Sequence, residues 1–352
     1  MSDLRAWLDA QHIPSPDAPF AELRAWNATL FDAGWAAPAW PSEFGGRDAS
    51  LAEQLEYNEA MAGVPGPVNA IGVANIAPAI MTYGTDAQKQ RFLRPMLRGD
   101  DIWSQGMSEP SAGSDLASLS CRAVRDGDDF VVNGQKTWNS NGHFADWCQL
   151  YVRTNTEAPK HKGITCLLVD MTTPGIEARP ITTMAGDQSF AELFFTDVRV
   201  PVASVLGAVD DGWSVATRTL SNERAGVANL YLSQRRTFER LRRAAGDVRG
   251  PARDELVRRY IDVRLLEFLA KRMIGAALAG NAPGAEGSVV KLAWSQAGQA
   301  LANTGANLLG VDGAWGTSLL TSRQLTIAGG TSEVNKNIIG ERVLGLPREP
   351  SP

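Results

Sequence analysis

Apolar residues recur every three or four positions through the first hundred residues, which is the spacing of one face of an α-helix. The first of them are Leu4, Trp7, Leu8, Leu23, Trp26, Leu30 and Phe31, and segments 51–61 and 87–97 continue the pattern. Prolines and glycines between positions 38 and 46 interrupt it and predict a turn-rich connection. We therefore predict a helical N-terminal domain over residues 1–105.

Helical spacing gives way to short runs of β-branched and aromatic residues after Ile102. Segments 121–124 and 130–132 flank a turn at Asp126 and Gly127, which predicts a β-hairpin. Further runs rich in β-branched and aromatic residues follow at 149–153, 163–170, 176–181 and 191–200. This pattern predicts a β domain over residues 106–208.

Helical spacing returns after Gly212 and is clearest over 255–279, before Gly280. The apolar positions there are Leu256, Tyr260, Val263, Leu266, Leu269 and Met273. We predict a helical C-terminal domain over residues 209–352, so the order of structure along the chain is α, β, α.

The composition narrows the classes of function. The 352 residues carry 34 basic and 39 acidic side chains, a net charge of -5, so we expect no binding of nucleic acid or of a membrane surface. Three cysteines and three histidines lie scattered, without the spacing of metal ligands. We expect a cytoplasmic protein with no metal site, no signal peptide and no membrane span.

Motifs for common nucleotide-binding and hydrolase sites are missing from the sequence, which has no GxGxxG, P-loop or GxSxG pattern. Residues 134–137 (GQKT) resemble the end of a P-loop without its upstream glycine, and we interpret them as a turn. Segment 106–115 is rich in glycine and serine, so its backbone N–H groups and the Ser108 and Ser114 hydroxyls can approach a phosphate or a planar ring. Such donors stabilise the negative charge that a flavin ring gains with a hydride.

Five segments in the same order make the chain similar to the acyl-CoA dehydrogenase family of flavoproteins. They are 106–115, 134–138, 197–201, 329–334 and 340–348. The resemblance implies an α+β multi-domain fold with a helical N-domain, a central β-barrel-like domain and a C-terminal four-helix-bundle-like domain. It also implies non-covalently bound FAD, α,β-desaturation of an acyl-CoA thioester in lipid metabolism, and an electron-transfer flavoprotein as the electron acceptor.

The resemblance assigns site residues one by one. In the family, segments matching 105–114 and 138–140 line the flavin, and the segment matching 331–333 reaches its adenosine or pyrophosphate portion. The implied cofactor-binding residues are Gln105, Met107, Ser108, Ser114, Trp138, Asn139, Ser140, Thr331 and Glu333. The implied substrate-binding residues are Ser114, Arg224 and Gly330.

The catalytic base departs from a common family pattern. Many members carry a glutamate directly before the Gly-Thr pair, where this chain has Gly329, which has no side chain to take a proton. Other branches place the base on a different helix, directly before an arginine, and Glu223 followed by Arg224 matches that arrangement. The resemblance therefore implies that Glu223 is the base and that Arg224 orients the helix or the substrate.

A second departure concerns the contact between subunits. Segment 306–313 keeps spaced glycines but lacks the family's Gln-x-x-Gly-Gly-x-Gly pattern, which reaches a neighbouring subunit's flavin. This resembles a bacterial branch of heterotetramers that act on steroid side-chain or other bulky acyl-CoA thioesters. The resemblance implies four subunits, identical or not, because the family buries its C-terminal helices between subunits. In agreement, 255–279 has too many apolar positions for a one-faced surface helix. The alternatives are a subunit inactive alone, a flavin oxidase or monooxygenase, and a non-enzymatic scaffold.

Overall fold

A computed structural model of the protein describes residues 2–226, 230–281 and 284–348, without the side chains of 2 and 221–226. The chain forms two compact units, Met1–Asn222 and Glu223–Pro352. Among the helices so described, none is long and apolar enough to cross a membrane.

The first unit begins with the predicted helices. They are α1 (Ser2–Asp9), α2 (Phe20–Asp32), α3 (Leu51–Ala60), α4 (Ala77–Tyr83) and α5 (Asp86–Arg98). Capping boxes start two of them, because Ser50 and Thr85 each accept a backbone N–H from the third residue of the helix that follows. Helix α5 ends at Gly99, which has a left-handed φ of 86°. A π-helical turn, Gly72–Ile76, leads into α4.

Eight strands form the sheet of the described first unit. They are β1 (Trp103–Gly106), β2 (Arg122–Asp126), β3 (Asp129–Ser140), β4 (Trp147–Arg153), β5 (Ile164–Asp170), β6 (Ile176–Ile181), β7 (Phe190–Pro201) and β8 (Val205–Leu206). Their order is β6-β7-β3-β2-β4-β5-β8, and β1 pairs in parallel with β4. The predicted hairpin is confirmed, since β2 and β3 pair on either side of Gly127. Strand β1 and the second half of β3 were not predicted from the sequence pattern.

Both faces of the central strands are covered. Side chains such as Trp103, Tyr151 and Leu168 belong to the core formed with the N-terminal helices. Neighbouring residues such as Leu150 and Leu167 belong to a second core, which is formed by side chains of β2, β3, β4, β5 and β7. This explains why β4 and β5 are almost continuously apolar instead of alternating.

Helix α6 (Gly212–Gly226) follows the sheet, and its early residues Val215 and Ala216 are buried in the first core. The remaining helices, in the second unit, are α7 (Leu230–Ala245), α8 (Pro251–Leu278), α9 (Glu286–Leu309), α10 (Ala314–Thr321) and α11 (Ser332–Ile338). Helix α9 contacts α7, α8, α10 and α11, so it is the centre of this unit. The predicted order of helical, β and helical structure is therefore confirmed.

Helix α8 is apolar on more than one side. Leu256, Val263 and Leu266 are buried within the second unit. On another side, the exposed apolar residues are Val257, Tyr260, Ile261, Leu265 and Phe268, which we call the α8 apolar face. An ordinary surface helix presents polar residues there, so this face is suited to contact with another chain.

Candidate active site

Strand β1 and the loop after it lie against the end of β3. The carbonyl oxygens of Gln105, Met107 and Ser108 accept hydrogen bonds from Asn139 Nδ2 (2.7 Å), Lys136 Nζ (3.0 Å) and the Thr137 N–H (2.9 Å). The structure thus brings together two segments that the family resemblance assigned to one site, 105–108 and 138–140.

Trp138 lies on a β-bulge that turns its side chain outwards. Between Lys136 and Asn139, β3 has one residue more than the paired segment of β7. Trp138 has a φ of 59°, in the left-handed region that non-glycine residues rarely adopt. Its ring is 59% exposed and packs edge-on against Phe190, with centroids 5.9 Å apart. Bulges and strained backbone of this kind often direct a side chain into a functional site.

The amide groups beside this bulge are incompletely paired. Asn139 is fully buried, and its Oδ1 atom has no hydrogen-bond partner among the described residues. Gln105 Nε2 donates to Gln149 Oε1 at 3.1 Å, and Ser104 Oγ donates to the Ser140 carbonyl at 3.0 Å. A buried acceptor without a donor is costly, so the fold tolerates an unfavourable polar group at this bulge.

A buried ion pair connects the loop after β1 to strand β3. Lys136 Nζ is 2.8 Å from Glu109 Oε1, and the two side chains are 0% and 3% exposed. Residues 134–137 belong to β3, so the interpretation of this segment as a turn was wrong. Glycine is needed at position 134 because a Cβ atom there would lie 2.7 Å from the Cα atom of Cys121.

The charges around Glu109 set its ionisation. Burial raises the pKa of this carboxyl, but the Lys136 ammonium and the N–H groups of Ser120 and Cys121 outweigh burial and hold the pKa below its usual range. A carboxyl of this kind adds stability above its unfolded-state pKa and loses that contribution as the pH falls through its folded-state pKa.

We therefore expect acid to destabilise the wild-type protein more steeply than the Glu109→Gln variant below pH 4.5, the ordinary pKa of glutamate. Thermal melting followed between neutral and acid pH measures this difference. The exposed Glu22 provides the control, because Glu22→Gln should leave the wild-type pH profile unchanged. Parallel pH profiles for the wild type and Glu109→Gln would contradict the expectation.

The remaining predicted residue of this loop, Ser114, is exposed. A reciprocal pair of backbone hydrogen bonds between Glu109 and Ala112 forms the turn before it. After it, Asp115 accepts a hydrogen bond from Lys160 Nζ at 2.9 Å. Ser114 is therefore held on the outer side of a fixed turn, where its hydroxyl is accessible.

The second unit contains the predicted C-terminal residues. Gly329 and Gly330 have φ values of 66° and 87°, and Thr331 Oγ1 accepts the Val334 N–H at 3.1 Å, capping α11. Glu333 is exposed in the first turn of α11. The buried Lys291 donates to the carbonyl oxygens of Leu325 and Gly330 at 2.9 and 2.8 Å, which fixes the chain before Thr331.

The predicted base, Glu223, and its neighbour Arg224 lie within α6. Their side chains are outside the described residues, so their assigned roles stay predictions. The sequence did not identify the roles of Glu109, Lys136 and Lys291. One available signal was the position of Lys136, an even number of residues after the buried Phe130 and Val132 of β3, because a buried lysine requires an acceptor or a carboxylate.

Comparison with known proteins agrees with this arrangement. Family models for the N-terminal, middle and C-terminal domains of acyl-CoA dehydrogenase match residues 5–100, 104–198 and 210–344. The fold and the matched domains are those of a flavoprotein oxidoreductase that acts on CH–CH groups, and the chain belongs to the acyl-CoA dehydrogenase family.

Similar proteins include acyl-CoA dehydrogenase IpdE1 of Mycobacterium tuberculosis, which is 38% identical over 94% of this chain and 89% of its own. Two solved structures are also similar over 99% of this chain and 97% of theirs. The Tcur3481-Tcur3483 steroid ACAD has a TM-score of 0.87 at 31% identity. The ChsE4-ChsE5 complex from Mycobacterium tuberculosis has a TM-score of 0.84 at 32% identity.

Proposed function

We propose that this protein is an FAD-dependent acyl-CoA dehydrogenase that introduces an α,β double bond into a bulky acyl-CoA thioester of the steroid side-chain class. The observation that carries this proposal is the joining of segment 105–108 to the bulge that projects Trp138. The substrate class rests on likeness to the Tcur3481-Tcur3483 steroid ACAD.

The residues at the bulge fit a flavin. The exposed Trp138 offers an aromatic wall, and the buried Asn139 fixes the Gln105 carbonyl beside it through its Nδ2 atom. The half-buried Met107 and Ser108 and the half-buried Ser140 complete this surface, and Gln105 supports it through its carbonyl. In the second unit, Thr331 and Glu333 are the proposed contacts of the adenosine or pyrophosphate portion.

The side chains of the protein control the proton. Glu223 takes the α-proton of the thioester, while Arg224, Ser114 and Gly330 hold the substrate. When bound, FAD supplies the acceptor for the β-hydride. A carboxylate in a water-poor site is a suitable base, because desolvation brings its pKa closer to neutrality.

The protein acts as an oligomer of four subunits that passes its electrons to an electron-transfer flavoprotein. The α8 apolar face supports the oligomer, since such a surface is rarely left open to water. A second candidate is a subunit of a heteromer that is inactive alone. It is favoured by the incomplete glycine pattern at 306–313 and by likeness to the ChsE4-ChsE5 complex.

We expect purified protein to carry FAD that is released intact on denaturation, because the buried Cys121, Cys148 and Cys166 are not available for attachment. The visible spectrum, recorded before and after addition of acyl-CoA thioesters without oxygen, tests the function. Bleaching of the flavin band by a steroid side-chain thioester is expected, and not by a short straight-chain one.

Other outcomes separate the alternatives. A colourless protein that gains flavin only with a second subunit indicates the heteromer. Peroxide or an oxygenated product in air indicates an oxidase or monooxygenase. Protein that never binds FAD, alone or in a complex, would contradict the proposed function.

A further inference from the structure

We propose that Glu109 and Lys136 are positioning residues that fix the flavin-facing loop against the Trp138 bulge and balance the charge behind the flavin. This inference rests on the proposed function. Neither residue is assigned a contact with the cofactor or the substrate.

The contacts of the pair connect three separate segments. Glu109 accepts the Ser120 N–H (2.7 Å), the Ser120 hydroxyl (2.8 Å) and the Cys121 N–H (2.8 Å) in addition to Lys136 Nζ. Lys136 donates in turn to the Met107 carbonyl. The loop after β1, the residues directly before β2 and the bulged part of β3 are therefore joined through two side chains.

The location of the pair indicates a role beyond stability. A buried ion pair loses so much hydration that apolar residues of similar size are often as stabilising, and its advantage is to select one arrangement of the chain. Glu109 directly follows Ser108, and Lys136 lies two residues before Trp138. Any shift of either partner therefore moves a residue that faces the proposed flavin site.

The two charges also cancel next to that site. A nearby net positive charge stabilises a reduced flavin and raises its reduction potential, whereas a net negative charge lowers it. Glu109→Gln leaves the Lys136 charge uncompensated, and Lys136→Met leaves the Glu109 charge uncompensated. We expect the first variant to raise the flavin reduction potential and the second to lower it.

The experiment compares Glu109→Gln, Lys136→Met and the double variant in whichever assembly binds FAD. Each single variant should weaken FAD binding at least tenfold, with potentials shifted in opposite directions. The double variant should return the potential towards the wild-type value but keep the weak binding, because the Met107 carbonyl still lacks its donor. Glu109→Asp keeps the charge and shortens the side chain, so it should weaken FAD binding without shifting the potential.

A matched control is Glu267→Gln in α8, because Glu267 is a carboxylate 4% exposed that pairs with Arg264 and Lys271. This variant should lower the melting temperature but leave the flavin potential unchanged. Unchanged FAD affinity in the Glu109 and Lys136 variants, or potential shifts of the same sign, would overturn the proposal.

Hydrogen exchange of flavin-free protein tests the anchor without relying on the function. In the Glu109→Asp and Glu109→Gln variants, the backbone amides of 105–121 and 134–140 should exchange faster than in the wild type. The amides of α9 should exchange at the wild-type rate. Equal exchange over the first two segments would also overturn the proposal. Failure of the wild type to bind FAD, both alone and in a complex, contradicts the proposed function, while this exchange result still decides whether the anchor exists.

Discussion

Glutamine in place of Glu223 should slow flavin reduction by an acyl-CoA thioester by at least about 10³-fold, or about 4 kcal/mol in activation free energy. Glutamine keeps the shape and hydrogen-bonding capacity of the side chain but cannot accept the α-proton. Binding of FAD and of acyl-CoA should stay close to that of the wild type. Rapid mixing without oxygen, with flavin absorbance as the signal, measures the reduction step directly.

Two further variants make this test specific. Glu239→Gln on α7 removes a carboxylate that pairs with Arg242 on the surface, and it should reduce flavin at the wild-type rate. Adding Gly329→Glu to the Glu223→Gln variant should not restore the rate, because a side chain at a φ of 66° strains the backbone. Reduction of the Glu223→Gln variant at nearly the wild-type rate would contradict the assignment of the base.

Local patterns predicted most of the regular structure of this chain. The strands at 176–181 and 191–200 are visible in the sequence because they are rich in β-branched and aromatic residues, and the burial of β7 alternates except at Thr196 and Asp197. β1 escaped prediction, because Trp103–Gly106 is short and has no β-branched residue. The second half of β3 was missed because its buried positions carry Lys136 and Asn139, which a sequence pattern interprets as turn residues.

The site could be predicted only in part. Segments 105–108 and 138–140 were grouped by family resemblance, since no local spacing connects residues so far apart in the chain. The Glu109–Lys136 pair spans 27 positions and joins the loop after β1 to β3, two segments that meet only in the folded sheet. A lysine in a strand indicates that a partner is needed, but only the folded structure identifies the partner.

Aspartates at Ile261 and Leu265 should dissociate the oligomer. These residues are 48% and 55% exposed in the single chain and lie one helical turn apart on the α8 apolar face. Burying an aliphatic side chain contributes about 1.5–3 kcal/mol, so loss of both should raise the dissociation constant by about 10²- to 10⁴-fold. Sedimentation velocity over a range of concentrations measures the change.

The control for this prediction is Val124→Asp on β2, because Val124 is equally exposed at 48% but lies outside the α8 apolar face. This variant should leave the oligomer intact. That result would show that dissociation depends on where the new aspartate lies. Circular dichroism must show that the Ile261→Asp, Leu265→Asp double variant keeps its helices, because loss of folding also dissociates an oligomer. A folded double variant that sediments like the wild type would show that the α8 apolar face is not the interface. In that case the exposed residues at the end of the chain, Leu344 and Leu346, become the next surface to test.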